Sequence, residues 1–149
     1  MFASEMIDIA DDLLVATAMV LLTVAIHGLG LTALGRLLRV ESIEERHRHV
    51  SLFSLRSLVF TQMLVIALFV LHGIEIWLYA FVYIALGAIG DISNAIYFST
   101  ISYAAIGYSD SAISVDWRIV GAIEGINGLL LLGWSTAFFV AVVTRLGRT

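Results

Sequence analysis

The chain has 149 residues, of which 60% are hydrophobic and 13% are charged, and its mean hydropathy is +1.00. A typical soluble domain carries about 25% charged residues, so this composition leaves too little polar surface for a water-soluble globule. It predicts an integral membrane protein. The absence of cysteine excludes disulfides and thiolate metal or redox sites, and the absence of proline means that no helix is interrupted by that residue.

The first predicted element is a membrane helix near the N-terminus. Residues 1–12 contain four acids and no basic residue, which is the opposite of a signal-peptide start. The 23 uncharged residues 13–35 follow, and about 20 apolar residues suffice to cross a bilayer. We expect 1–56 to comprise this helix and a cytoplasmic loop over 36–56, the loop forming a short amphipathic helix or hairpin.

Two further spans are expected in the remainder of the chain, 57–149. Uncharged residues begin at 57 and continue to Glu75, and a second uncharged run lies between Glu124 and Arg145. The segment 92–109 also lacks charge, but half of its residues carry a polar group, which is unfavourable against lipid.

The arginines decide how the segment 92–109 is placed. Seven of the eight lie in the 36–56 loop and the C-terminal tail. Under the positive-inside rule both regions are cytoplasmic, which requires three spans and an N-terminus outside. The segment 92–109 must then enter and leave by the outer face. Re-entrant backbone is tolerated only when it is buried in protein or lines water, so this segment predicts a pore or cavity shared between subunits.

The re-entrant segment reads as a short helix followed by an extended stretch. Asp91 or Ser93 can cap a helix over about 94–104, and the extended stretch covers 105–110. Gly107 permits backbone conformations that other residues avoid, so that carbonyl groups can point at one axis and replace the hydration shell of an ion. The negative C-terminal end of the helix favours a cation.

These residues resemble the pore domain of the potassium-channel-like family, specifically the small bacterial two-transmembrane ion channel domain. Ile106, Gly107, Tyr108 and Asp110 match V, G, Y and D of its T-V-G-Y-G-D filter. The resemblance covers about 57–146. Together with the first span, which lies outside it, the resemblance implies an all-α membrane protein of a bacterial inner membrane, with three transmembrane helices, a re-entrant pore helix and a filter loop. It also implies an outer helix at 57–80, a pore helix at 94–104, a filter at 105–110, an inner helix at 117–145, and a homotetramer around one pore.

The resemblance implies a cation channel that conducts through the carbonyls of residues 105–109. Ala105 replaces the threonine of the family and Ser109 replaces its second glycine, so we expect potassium to be favoured over sodium with altered selectivity. Asp110 would anchor the outer mouth, opposite Arg118. No cofactor is expected besides the permeant cation. The expected partners are the lipid bilayer, the permeant cations and three further copies of the chain, with no nucleic acid.

Polar residues inside the third span suggest support for the filter. Glu124 lies about 9 Å below the outer edge at 1.5 Å per residue, and Asn127 shares its helical face. We interpret them as a buttress, with Glu124 bonded to Ser102, Tyr103 or Tyr108; the alternative is a packing role. The same face continues through Leu131, Ser135 and Phe138, which we expect to line a cavity.

Glycines on the inner helix have two interpretations. The resemblance places Gly128 near the hinge at which inner helices of the family bend. The alternative is close helix packing, because Gly121 and Gly125 form a GxxxG pair.

The remaining intramembrane groups are candidates for binding. His72, Glu75 and Glu124 are expected at one depth and could hold a divalent metal or a proton, although their spacing is not diagnostic and we assign no metal site. His27 is expected about 12 Å from the inner edge and roughly 10 Å from His72 in depth.

Two rival functions remain open. A b-type cytochrome anchor would need His27 and His72 at one depth, which these estimates oppose. A non-conducting accessory or sensor subunit would use the same fold. An enzyme is not expected, because no nucleophile–base pair and no soluble domain is visible.

Overall fold

Four α-helices make up the protein in a computed structural model that describes residues 2–45, 55–107 and 111–146. They are α1 (Phe2–Glu45), α2 (Leu55–Ala85), α3 (Ile92–Tyr103) and α4 (Arg118–Leu146), and a single 3₁₀ turn, Val115–Trp117, leads into α4. The described residues contain no strand. The predicted all-α class is therefore confirmed.

Three of the helices are long and apolar enough to cross a membrane. Their apolar stretches are Ile9–Leu38, Ser57–Ala85 and Val115–Arg145, of 30, 29 and 31 residues. By contrast, the 12 residues of α3 extend about 18 Å, which is shorter than the roughly 30 Å hydrocarbon layer. The chain is thus a multi-pass membrane protein, with the three predicted spans confirmed.

The distribution of side chains is that of a protein surrounded by lipid. Large apolar side chains such as Leu29, Phe69 and Leu130 are 71%, 79% and 68% exposed. Polar groups occupy the interior instead, and they include His27, Glu75, Ser99, Glu124 and Asn127. Because lipid offers no hydrogen bonds, buried polar groups have to find their partners within the protein.

One buried stripe on each long helix carries these polar groups. The buried positions of α1 recur every three or four residues, as expected for one face of a helix. They are Asp12, Ala16, Met19, Thr23, His27 and Leu31. The corresponding stripe of α2 includes Leu71, Glu75, Tyr79 and Tyr83, and that of α4 includes Val120, Glu124, Asn127, Leu131 and Ser135.

The short helix α3 packs between α2 and α4. Asp91 caps its N-terminus by accepting a hydrogen bond from the Asn94 backbone N–H at 2.9 Å. The Ser114 backbone N–H donates to the Ala88 carbonyl at 2.9 Å, so the turn after α2 meets the turn before α4. The chain therefore leaves α2 and returns to α4 at one end of the bundle, as a re-entrant segment requires.

The helix limits differ from those expected. We expected a loop from residue 36, but α1 continues through Arg36 to Glu45, because no glycine or proline interrupts 36–45 and these residues tolerate a helix well. Helix α2 ends at Ala85 rather than at 80, and α3 covers 92–103 rather than 94–104. The rest of the expected loop, 46–54, lies outside the described residues.

Candidate functional site

The C-terminal end of α3 closes in a left-handed turn. Ala105 has φ 55°, its N–H donates to the Ser102 carbonyl at 2.8 Å, and the Ile106 N–H donates to the Ile101 carbonyl at 2.9 Å. This hydrogen-bond pair is the Schellman motif that commonly ends helices. The expectation of an extended stretch beginning at residue 105 is wrong for Ala105, because that residue serves the helix cap.

Residues 104–107, which form and follow this cap, are accessible at the surface of the single chain. Ala104, Ala105, Ile106 and Gly107 are all exposed, with Ile106 at 58%, and Gly107 has φ 60°. A positive φ is the conformation for which glycine is suited. The other three residues of the expected filter, Tyr108, Ser109 and Asp110, lie outside the described residues.

Glycines of α4 bring α4 against the end of α3. A Cβ added at Gly125 would lie 3.1 Å from the Ser102 carbonyl oxygen, and one added at Gly128 would lie 2.8 Å from the Tyr103 carbonyl carbon. Gly121 meets the Phe98 ring in the same way, at 2.9 Å. These positions agree with the packing interpretation of the glycines, and the hinge at Gly128 stays a prediction.

Glu124 contacts α3 through Ser99, which was not among the expected partners. Its carboxyl group is fully buried and accepts hydrogen bonds from the Tyr83 hydroxyl at 2.6 Å and from Ser99 of α3. Ser102, Tyr103 and Tyr108 were the expected partners; Ser99 lies one turn earlier, facing α4 and α2. We call Tyr83, Ser99 and Glu124 the Glu124 cluster.

The Ser99 hydroxyl has one proton and two acceptors, Glu124 and the Ile76 carbonyl at 2.9 Å. The Glu124 cluster therefore links α2, α3 and α4.

Other expected support residues face the bundle core. Asn127 donates to the Thr23 hydroxyl at 2.8 Å and to the Tyr79 hydroxyl at 3.2 Å, so it joins α4 to α1 and α2. Ser135 contacts His27 Nε2 at 3.2 Å, and Leu131 is 1% exposed. The expectation that Leu131 and Ser135 line a cavity is therefore wrong. Arg118 is exposed at the start of α4.

A second polar cluster lies behind the end of α3. His27 Nδ1 lies 2.9 Å from one Glu75 carboxylate oxygen, and the Tyr103 hydroxyl donates to the other. His72 Nδ1 lies 2.8 Å from the Tyr103 hydroxyl and 3.5 Å from Glu75. We call His27, His72, Glu75 and Tyr103 the His–Glu cluster; its members come from α1, α2 and α3.

The depth expected for His27 is wrong. The rings of His27 and His72 contact each other with 5.2 Å between centroids, rather than lying roughly 10 Å apart. We counted depth from Arg36 as the membrane edge, whereas α1 continues without a break to Glu45, so the charge does not mark the end of the span. The depth argument against a shared haem also fails; direct ring contact instead leaves no space for a porphyrin between the two imidazoles.

The residues expected to bind a metal or a proton together also differ from those that the structure brings together. His72 and Glu75 lie together as expected, but their third neighbour is His27, and Glu124 belongs to the other cluster. Sequence reasoning missed Thr23, Tyr83 and Ser99 as network members, and it placed His27 too far from His72. One signal could have found Thr23, because it shares with His27 the face of α1 that also carries Asp12.

The fold and these buried networks define an all-helical membrane protein with a short helix inserted between two spans. The family model described as "Ion channel" matches residues 69–145, just over half of the chain, from within α2 to the end of α4. The chain belongs to this ion channel family. Comparisons with curated proteins and with solved structures found no significant match.

Proposed function

We propose that the chain is the subunit of a homotetrameric, potassium-favouring cation channel whose ions pass along the backbone carbonyls of residues 105–109. The observation that carries this proposal is the short α3 between two spans, ending in the exposed segment 104–107. The match to the ion channel family over 69–145 supports it, because that match includes both spans and the segment between them.

The chemistry of the segment suits a cation. Helix α3 has no basic residue in its last turn, so the partial negative charge of its C-terminus is not neutralised locally. One chain supplies one such segment, and a ring of carbonyls around an axis requires several copies. The exposed face of 104–107 is available for that assembly.

Flux into liposomes tests conduction directly. Purified chain in liposomes is assayed with potassium, sodium and chloride gradients in turn, and we expect reversal potentials set by the cations, with potassium ahead of sodium. Reversal at the chloride equilibrium potential would overturn the proposal. We expect Ser109→Gly to increase the preference for potassium, because it restores the second glycine of the family filter.

Two glycines provide a matched pair for the same assay. Gly107→Ala should abolish flux because alanine disfavours φ 60°, although nothing lies within 4 Å of the added Cβ. Gly90→Ala also meets open space and has no left-handed conformation, so its flux should equal that of the wild type. Equal flux from both variants would remove Gly107 from the conduction path. Native mass spectrometry should show four chains per particle.

A further inference from the structure

The His–Glu cluster brings metal-ligating groups together in a buried place that the conduction path does not use. His27 and Glu75 have fully buried side chains, and the side chain of His72 is 12% exposed. One potential ligand atom from each of these residues lies within 4.8 Å of the other two. The Tyr103 hydroxyl is bonded to Glu75 and lies 2.8 Å from His72, so it provides a fourth oxygen.

The distances in the cluster are close to those of a tetrahedral metal site. Zinc bonds of about 2.0–2.1 Å to nitrogen and oxygen place neighbouring ligand atoms about 3.4 Å apart. The distance from Glu75 Oε1 to His27 Nδ1 is 2.9 Å, and that from the other carboxylate oxygen, Oε2, to His72 Nδ1 is 3.5 Å. Small side-chain rotations therefore suffice to place the three groups around one ion.

The surroundings of His27 suit a ligand. Coordination through Nδ1 requires the imidazole proton to reside on Nε2, where it needs an acceptor. The Ser135 hydroxyl oxygen lies 3.2 Å from Nε2 and provides one. Such an outer partner orients a metal-binding histidine and fixes its tautomer.

The charge of the cluster also favours a cation. Glu75 is 0% exposed, and its neighbours in the cluster are two imidazoles and a phenol, none of which carries a permanent positive charge. Buried carboxylates are found paired with a positive group or coordinated to a metal. Two imidazoles and one carboxylate are the protein ligands of several zinc sites.

We propose that His27, His72 and Glu75, together with the Tyr103 hydroxyl, bind one divalent transition-metal ion of the zinc type per chain. The ion ties α1 and α2 to the C-terminal end of α3. The proposal is independent of conduction, because binding is measured on the purified chain whether or not it passes ions.

Binding is measured with Zn²⁺ by equilibrium dialysis on the full chain in detergent. The starting protein carries His47→Asn and His49→Asn, so that His27 and His72 are the only remaining histidines of the four in the sequence. We expect one Zn²⁺ per chain and at least a tenfold weaker affinity in His72→Gln and in Glu75→Gln. Glu124→Gln is the matched control, because it alters a buried carboxyl group of the other cluster, and it should bind as the starting protein does.

A milder variant keeps the test valid if the ligand variants do not fold. Ser135→Ala retains every ligand and removes the acceptor for His27 Nε2–H, which should weaken Zn²⁺ binding about 10–100-fold. Co²⁺ supplies a second measurement, because a tetrahedral site gives an intense visible absorption that a hydrated surface ion does not. Absence of stoichiometric binding, or binding that Ser135→Ala and the ligand variants leave unchanged, would overturn the proposal.

Discussion

Ala105 holds a backbone conformation that is unfavourable for its side chain. Its φ of 55° lies in the left-handed region, which costs an L-residue roughly 1–2 kcal/mol. Glycine avoids this cost but adds chain entropy to the unfolded state. We expect Ala105→Gly to raise the free energy of unfolding by about 0.5–1 kcal/mol, measured by reversible unfolding in mixed micelles.

The neighbouring alanine is the control for this prediction. Ala104 has φ −77°, which alanine adopts without strain, so Ala104→Gly should lower the free energy of unfolding by about 0.5–1 kcal/mol. The two substitutions are chemically identical and one residue apart, and only the backbone conformation gives them opposite signs. A loss of stability in both variants would contradict the left-handed cap.

Single residues were predicted well where backbone chemistry is local and less well where two helices meet. The need for glycine at 107 followed from its own permissive backbone, and its positive φ agrees. The contact of His27 with His72 could not be derived, because the relative height of two helices depends on packing along their whole length. Ser102, Tyr103 and Tyr108 were the expected partners of Glu124, and the structure has Ser99, which lies about one turn before Ser102 on α3.

At the scale of elements, the close approach of α4 to α3 depends on residues without side chains. Gly128 lies against the Tyr103 backbone, where an added Cβ would be 2.8 Å from both the Cα and the carbonyl carbon. Gly128→Ala should therefore push the two helices apart and lower the free energy of unfolding by about 1–3 kcal/mol. Tyr103 also belongs to the His–Glu cluster, so the near-ultraviolet circular dichroism of folded Gly128→Ala should differ from that of the wild type.

Gly133 on the same helix serves as the reference substitution. Nothing lies within 4 Å of a Cβ added there, so Gly133→Ala gains helix propensity without a clash. Its free energy of unfolding should rise by up to about 1 kcal/mol. If Gly128→Ala is as stable as Gly133→Ala, then α4 and α3 do not approach each other as closely as described.

Element limits were harder to predict than element identity. Uncharged runs of about 20 residues located all three spans, because hydrocarbon excludes charge over a fixed thickness. The same criterion ended α1 too early, since a helix does not stop where the membrane does and Arg36 continues the same hydrogen-bond ladder. The polarity of 92–109 and the distribution of arginine predicted a segment that does not span, and the twelve residues of α3 are too few to cross the bilayer.

Across the whole molecule, two buried polar clusters contain hydrogen-bonding groups that lipid could not satisfy. Lipid contributes nothing to a hydrogen bond, so the donors and acceptors of four helices pair with one another in the core. The Glu124 cluster joins α2, α3 and α4, while the His–Glu cluster joins α1, α2 and α3. Helix α3 is the member common to both, so its Ser99 and Tyr103 side chains tie it to α2 and α4 and, through Glu75, to α1.

The distribution of arginine predicts which side of the membrane each terminus of the chain lies on. Because seven of eight arginines lie in 36–56 and the tail, we expect the N-terminus outside and the C-terminus in the cytoplasm. The chain has no cysteine, so Ala3→Cys and Thr149→Cys each introduce a single thiol. In intact spheroplasts, a membrane-impermeant maleimide should label Ala3→Cys at once and Thr149→Cys only after permeabilisation. Labelling of both would indicate an even number of crossings, and the reverse pattern would invert the bundle and the side from which α3 enters.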